Sequence, residues 1–142
     1  MKTRIFIILI LLGITIPLYP QNLNEIEGEI IFNEKGKIYI YLVDDASFNK
    51  KEFIDFKIIE PNVEEYKKGK VYFSFKDLKS GTYSIRCFQD TNRNNELDKG
   101  IFGPKEPWGM SWKNKKPFGR PPVFDDISFN LISYKKVKII LD

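Results

Sequence analysis

Apolar side chains recur at every second position in segment after segment of this chain. The runs are Ile26/Gly28/Ile30/Phe32, Ile38/Ile40/Leu42, Ile54/Phe56/Ile58, Val71/Phe73/Phe75, Tyr83/Ile85/Cys87, Ile127/Phe129/Leu131 and Val137/Ile139/Leu141. A period of two puts those side chains on one face of an extended strand, whereas a helix needs a period near 3.6. Turn-forming residues separate the runs, and no segment carries a convincing helical pattern. The pattern predicts an all-β chain, an antiparallel β-sandwich of about seven strands.

The connections can be read in the same way. Asn33-Glu34-Lys35-Gly36 is expected to be a hairpin turn, and Asp77 to Gly81 a tight connection. Asp44 to Lys51 is a polar link, and Pro61 to Gly69 a charged loop with room for one helical turn at Val63 to Tyr66. Ahead of the first strand, Met1 to Pro20 has the make-up of an export signal: Lys2 and Arg4, then the apolar run Ile5 to Leu12. That run is too short to span a bilayer core. The expected organisation is a signal at 1–20, a single domain at 21–142 and a periplasmic or secreted location, with no integral membrane segment once the signal is cleaved.

Composition removes several kinds of chemistry. With no His, imidazole acid/base catalysis, a Ser-His-Asp triad and imidazole metal sites are excluded. Cys87 is the only cysteine, so there is no internal disulfide and no cysteine zinc site. Its place among Tyr83 and Ile85 marks it as a buried apolar residue rather than a nucleophile. Losing Lys2 and Arg4 with the signal lowers the net charge from +4 by two, too little for a nucleic-acid surface. The adjacent acids Glu64-Glu65 and Asp125-Asp126 do not share a strand face, so neither pair is a ready dyad. The expectation is that the chain is not an enzyme.

One stretch has spacing that chemistry requires. In Asp90-Thr-Asn-Arg-Asn-Asn-Glu-Leu-Asp98, oxygen-bearing side chains fall at relative positions 1, 3, 5 and 9. This is the stagger of a calcium loop, with the Glu96 carbonyl available at position 7. Asp90, Asn92, Asn94, Glu96 and Asp98 are therefore the candidate metal ligands. Asn95 stands where the loop needs φ > 0. Ile101 occupies position 12, where such loops carry a bidentate acid, and Glu106 is the nearest acid able to fold back. The alternative is a metal-free turn in which Asp and Asn side chains bond their own backbone.

The stretch from Asp90 to Asp126 is long for a loop without secondary structure. It holds Leu97, Ile101, Phe102, Trp108, Met110, Trp112, Phe118, Val123 and Phe124, and is expected to fold back over the sandwich. Trp108 and Trp112 form either an aromatic platform or a staple that anchors the loop. Lys113, Lys115, Lys116 and Arg120 are a local basic cluster, either a solvated face or a subsite for anionic groups. Trp108, Trp112, Lys115 and Arg120 are the candidate ligand surface.

The same C-terminal half carries a resemblance. Gly81, Tyr83, Ile85, Phe88, Asp90, Asn92, Asn94, Leu97, Asp98, Gly103, Pro104, Glu106, Gly109 and Ser111, then Phe118, Gly119, Pro121, Phe124 and Phe129, match the pattern of the bacterial domain-of-unknown-function family 2141 (DUF2141). Asn95 stands for that family's Gly, Met110 for its Phe and Ile127 for its Ala. The resemblance implies an exported β-domain of undetermined role. Separately, Phe75-x-Asp77-Leu78-x-x-Gly81-x-Tyr83 resembles a pattern found in transthyretin-like and adhesin-type sandwiches, so the expected architecture is immunoglobulin-like or transthyretin-like. The functional expectation is a non-catalytic envelope or extracellular binding module, calcium-stabilised through Asp90 to Asp98. The alternative is a metal-free structural or adhesive protein whose long loop contacts a protein or glycan.

Overall fold

The computed structural model describes residues 23–142, so the expected export signal lies outside the described residues. In chain order the elements are β1 (Asn24–Ile31), β2 (Lys37–Val43), α1 (Asp45–Lys50), β3 (Asp55–Ile59), α2 (Val63–Lys68), β4 (Lys70–Leu78) and β5 (Gly81–Asp90). The short pieces β6 (Lys99–Gly100), β7 (Gly103–Pro104), β8 (Trp108–Met110), α3 (Phe124–Ile127) and β9 (Phe129–Leu131) follow, and β10 (Tyr134–Ile140) ends the order. All seven alternating segments contribute to strands. Phe32, Ile54 and Leu141 lie just outside their strands, and Ile127 is the last residue of α3.

The strands form two principal sheets. The smaller has the order β10-β1-β4; in the larger the order is β3-β2-β5-β8, with β9 also pairing β5. Ile26, Ile30, Ile38, Ile40, Leu42, Val71, Phe75, Ile85 and Ile139 fill the space between them with essentially no exposure. The inward faces read from the alternation in β1, β2, β4, β5 and β10 are those the structure buries. Cys87 lies among them as a free thiol, and burial pushes its pKa up, away from the reactive thiolate.

Several local expectations are corrected. Asn33 to Gly36 is not a hairpin turn: β1 pairs β4 and β10, whereas β2 pairs β3 and β5. The connection instead carries the chain from one sheet to the other. Phe32 is buried edge-on against Tyr66 at 5.7 Å, and the Tyr66 hydroxyl bonds both backbone groups of Gly36. Only glycine fits there, because φ is +146° and a Cβ would lie 2.1 Å from the Asp90 carbonyl oxygen. The connection from β4 to β5 crosses between sheets in the same way. The sandwich is also not purely antiparallel, since β1 and β10 run parallel with Glu25 opposite Tyr134 and Ile31 opposite Ile140.

α1 forms in a link expected to be only polar, and α2 extends the helical turn anticipated at Val63 to Tyr66. In α1, the Asp44 carboxylate accepts from Ser47 N–H at 2.8 Å and the Ser47 hydroxyl accepts from Asp44 N–H at 2.9 Å. In α2, Asn62 and Glu65 make the same reciprocal pair, and Gly69 ends the helix at φ +62°. These capping boxes satisfy the first orphan N–H groups of very short helices, which hydrophobic periodicity does not register.

The long stretch after β5 is organised rather than unstructured. Its β8 adds to the larger sheet beside β5, pairing Arg86 with Met110 and Phe88 with Trp108. It also reaches the end of β10: Trp108 and Asp142 exchange two backbone hydrogen bonds of 3.3 Å, which joins the two sheets along one side. Ser111 continues the strand, its N–H bonding Ile85 O at 3.0 Å while its hydroxyl accepts from Ile85 N–H at 2.9 Å. The expectation that the apolar residues of this stretch all pack down is corrected at Ile101, Phe102 and Phe118, which are fully exposed. Ile101 and Phe102 form the tip of the β6–β7 hairpin, beyond reach of either sheet.

Candidate functional site

Asp90 ends β5 at the rim of the larger sheet, and the chain then turns sharply. The turn needs two residues with positive φ, Arg93 (63°) and Asn95 (65°); the second is the position anticipated for Asn. Asp90 is fully buried, and its two carboxylate oxygens accept from Asn94 N–H at 3.1 Å and Asn95 N–H at 2.9 Å. Asn92 Oδ1 accepts from Asn94 N–H and Asn94 Oδ1 from Glu96 N–H, so the segment is a succession of Asx turns.

Of the five proposed ligands, the structure brings three side chains together. Asn92 Nδ2 donates to Asp98 Oδ2 at 2.6 Å, and Asn94 Nδ2 donates to both Asp98 oxygens at 3.2 and 3.3 Å. Asp90 joins them through the backbone bonds, while Glu96 is exposed. Among the described residues no group of three or more His, Cys, Asp or Glu is placed to hold a metal ion. Glu106 does fold back. Almost wholly buried, it accepts from Thr91 N–H at 2.8 Å, the Thr91 hydroxyl at 3.2 Å and Asp98 N–H at 3.2 Å. One carboxylate thus clasps both ends of the loop.

The loop is tied to the outer face of the larger sheet. Tyr39 donates its hydroxyl to Asn95 Oδ1 at 2.8 Å, and Arg93 pairs with Glu60 just beyond β3. The register sets one row across that face as Ile58, Tyr39, Phe88, Trp108, and the next as Phe56, Tyr41, Arg86, Met110. The Tyr39 and Phe88 rings stack at 4.9 Å and 6°. Phe56 and Ile58 remain about half exposed (48% and 49%). Apart from Trp108, these residues were not among the sequence candidates. The signal lay in β2, where tyrosines interleave with the inward Ile38, Ile40 and Leu42 and leave neither face polar.

Trp108 and Trp112 meet edge to face at 6.0 Å and 69°, which is not a flat platform, and Lys116 Nζ covers the Trp108 ring at 3.9 Å. The Trp108 backbone is bonded to Asp142. Arg120 forms a bidentate pair with Asp126 at 2.7 and 2.8 Å, and that hydrogen bonding holds the Asp126 pKa down to about 2. Lys113 pairs with Asp125 and Lys116 with Asp142, whereas Lys115 is exposed. The basic cluster is therefore largely matched by acids of its own neighbourhood.

Residues 26–140 match the family described as "Uncharacterized protein conserved in bacteria (DUF2141)". No curated protein and no solved structure matches the chain. The matched span takes in every strand from β2 to β10 and all but the first two residues of β1, with the acid-clasped loop and the outer aromatic face. By that match this chain belongs to the DUF2141 family of bacterial proteins.

Proposed function

We propose that this protein is an exported, non-catalytic binding module in which calcium stabilises the Asp90–Asp98 loop and the adjoining outer face of the larger sheet makes contact with a protein or glycan. The observation that carries the reading is the convergence of Asn92, Asn94 and Asp98 at 2.6–3.3 Å, on a loop hydrogen-bonded to the buried Tyr39, beside the half-exposed Phe56 and Ile58. Asn92 Oδ1 and Asn94 Oδ1 each accept one backbone N–H and keep a second lone pair, which beside the Asp98 carboxylate is a donor set suited to a hard cation. The export half of the reading is supported by the leader-like composition of residues 1–20.

A second reading has its own support. Asp90 and Glu106 spend their carboxylates on backbone N–H groups, and such a loop holds its shape without an ion. Thermal melts of the purified protein in excess EDTA and then in millimolar calcium separate the two. A site with a dissociation constant near 10 μM gains about 2.7 kcal/mol at 1 mM calcium. For a domain of this size that is a rise of several degrees in Tm. A calcium-selective rise that Asp98→Ala abolishes supports the first reading. Superimposable melts reject the calcium site and leave the metal-free module.

A further inference from the structure

We infer that two copies of this chain pair edge to edge through β3, antiparallel and centred on Phe56, to form a two-fold dimer whose larger sheets are continuous. The inference concerns a different edge of the molecule from the loop and stands whether or not the loop holds calcium.

A sheet edge is a template for another strand unless charge, a bulge or a covering element blunts it. β3 and β4 end the two principal sheets on one side of the sandwich, and β8 and β10 end them on the other, where Trp108 and Asp142 join them. The two edges are unlike. On β4 the flanking lysines pair with β1 acids, Lys70 with Glu29 and Lys76 with Glu25, which is the charged dressing of a protected edge. On β3 the exposed positions are Asp55, Phe56 and Ile58, the last two at 48% and 49%, and just before the strand Phe53 and Ile54 are exposed at 48% and 45%. Phe53 packs on Phe56 and Tyr41, so the apolar surface runs from the edge onto the outer face without a break.

The backbone is presented for pairing as well. Phe56 N–H bonds the carboxylate of its own neighbour Asp55 at 2.7 Å and not a group of β2. It therefore points to the open edge, with a replaceable acceptor standing in for a partner strand.

What commits the edge to a second copy is its self-complementary order, Ile54-Asp55-Phe56-Lys57-Ile58. Laid antiparallel on itself about Phe56, the outer side sets Phe56 against Phe56 and Ile58 against the side chain of Ile54, whose own N–H stays bonded to Leu42 O at 2.8 Å. On the other side Asp55 faces Lys57, twice by symmetry. In a two-fold interface residue i meets j and j meets i, so each favourable pair counts twice. Apolar and opposite-charge cross-strand pairs are both stabilising. Shifting the centre to Lys57 would set lysine against lysine, and centring on Asp55 would set acid against acid, so charge selects the Phe56 register.

Sedimentation velocity on the purified protein, from low micromolar to about 200 μM, is the test. A concentration-dependent dimer is expected, with the Phe56 amide protected from hydrogen exchange only as the dimer fills. Lys57→Glu sets like charges opposite each other at two sites and is expected to raise the dissociation constant about tenfold or more. The double variant Asp55→Lys/Lys57→Glu exchanges the charges and restores the dimer. Because Lys57 also lies over the Phe75 ring at 5.2 Å, each variant is first checked for a wild-type melt. Should Lys57→Glu fail to fold, Ile58→Lys at an exposed position takes its place and must weaken the dimer. A wild-type chain that stays monomeric throughout, or a dimer indifferent to these changes, overturns the inference.

Discussion

Gly109→Ala probes the seam that holds the two sheets together. Gly109 is the middle residue of β8, opposite Cys87 of β5 on one side and against the end of β10 on the other. A Cβ placed there would sit 2.5 Å from the Ile140 carbonyl oxygen and 2.7 Å from Ile139 Cγ2. The first of these is backbone and cannot rotate away, so β8 must back off toward ordinary contact. Overpacking of this kind costs about 1–3 kcal/mol. The displacement also strains the paired Trp108–Asp142 bonds, already long at 3.3 Å, and each such bond contributes about 1 kcal/mol net. The expected loss is about 2–4 kcal/mol, a fall of roughly 8–20 °C in Tm for a domain of this length. Gly81→Ala is the control. Its Cβ would meet nothing nearer than 3.4 Å, on the Tyr83 ring, and the same gain in unfolded-state rigidity applies to both. Urea denaturation of the two variants side by side gives both midpoints. If Gly109→Ala lowers stability by no more than Gly81→Ala, the idea that β8 closes the sandwich against β10 is wrong.

Two further perturbations address the loop and its flank. Glu106→Gln keeps the shape but turns an amide N–H toward Thr91 or Asp98, leaving one donor unmatched; a loss of about 1–3 kcal/mol is expected, with faster hydrogen exchange at the Thr91 and Asp98 amides. Unchanged exchange at both would show that the clasp does not order the loop. Asp126, held at about 2 by the Arg120 hydrogen bonds, has a folded pKa below its unfolded value of about 3.9. Its contribution to stability is therefore present above pH 4 or so and is lost as pH falls toward 2. A carboxyl NMR titration should place Asp126 near 2 in the wild type and closer to an ordinary aspartate in Arg120→Gln. Equal midpoints in the two would rule out the pair as the cause.

Much of the site was legible because it is local. Asp90, Asn92, Asn94 and Asp98 gather within nine residues, and the left-handed conformation at Asn95 follows from the side chain that stands there. The Glu106 clasp was visible only as a possibility, since its bonds to Thr91 and Asp98 depend on how the β6–β7 hairpin returns the chain. The outer aromatic face was harder still. Tyr39, Phe88 and Trp108 are far apart in sequence, and only strand register sets them in one row.

What the sequence by itself determined is which segments form the longer strands and which face of most of them is buried. A two-residue period is a property of each segment alone, and an apolar face must leave water wherever its strand is placed. The identity of each strand's neighbours was decided by tertiary structure. Turns such as Asn33 to Gly36 and Asp77 to Gly81 have the same local chemistry whether they join two strands of one sheet or carry the chain across the core. The parallel match of β10 to β1, the crossing at Phe32 and the outward turn of Ile54, Phe56 and Ile58 each balance contacts between segments remote in the chain. That balance is struck only when all the segments compete for one core.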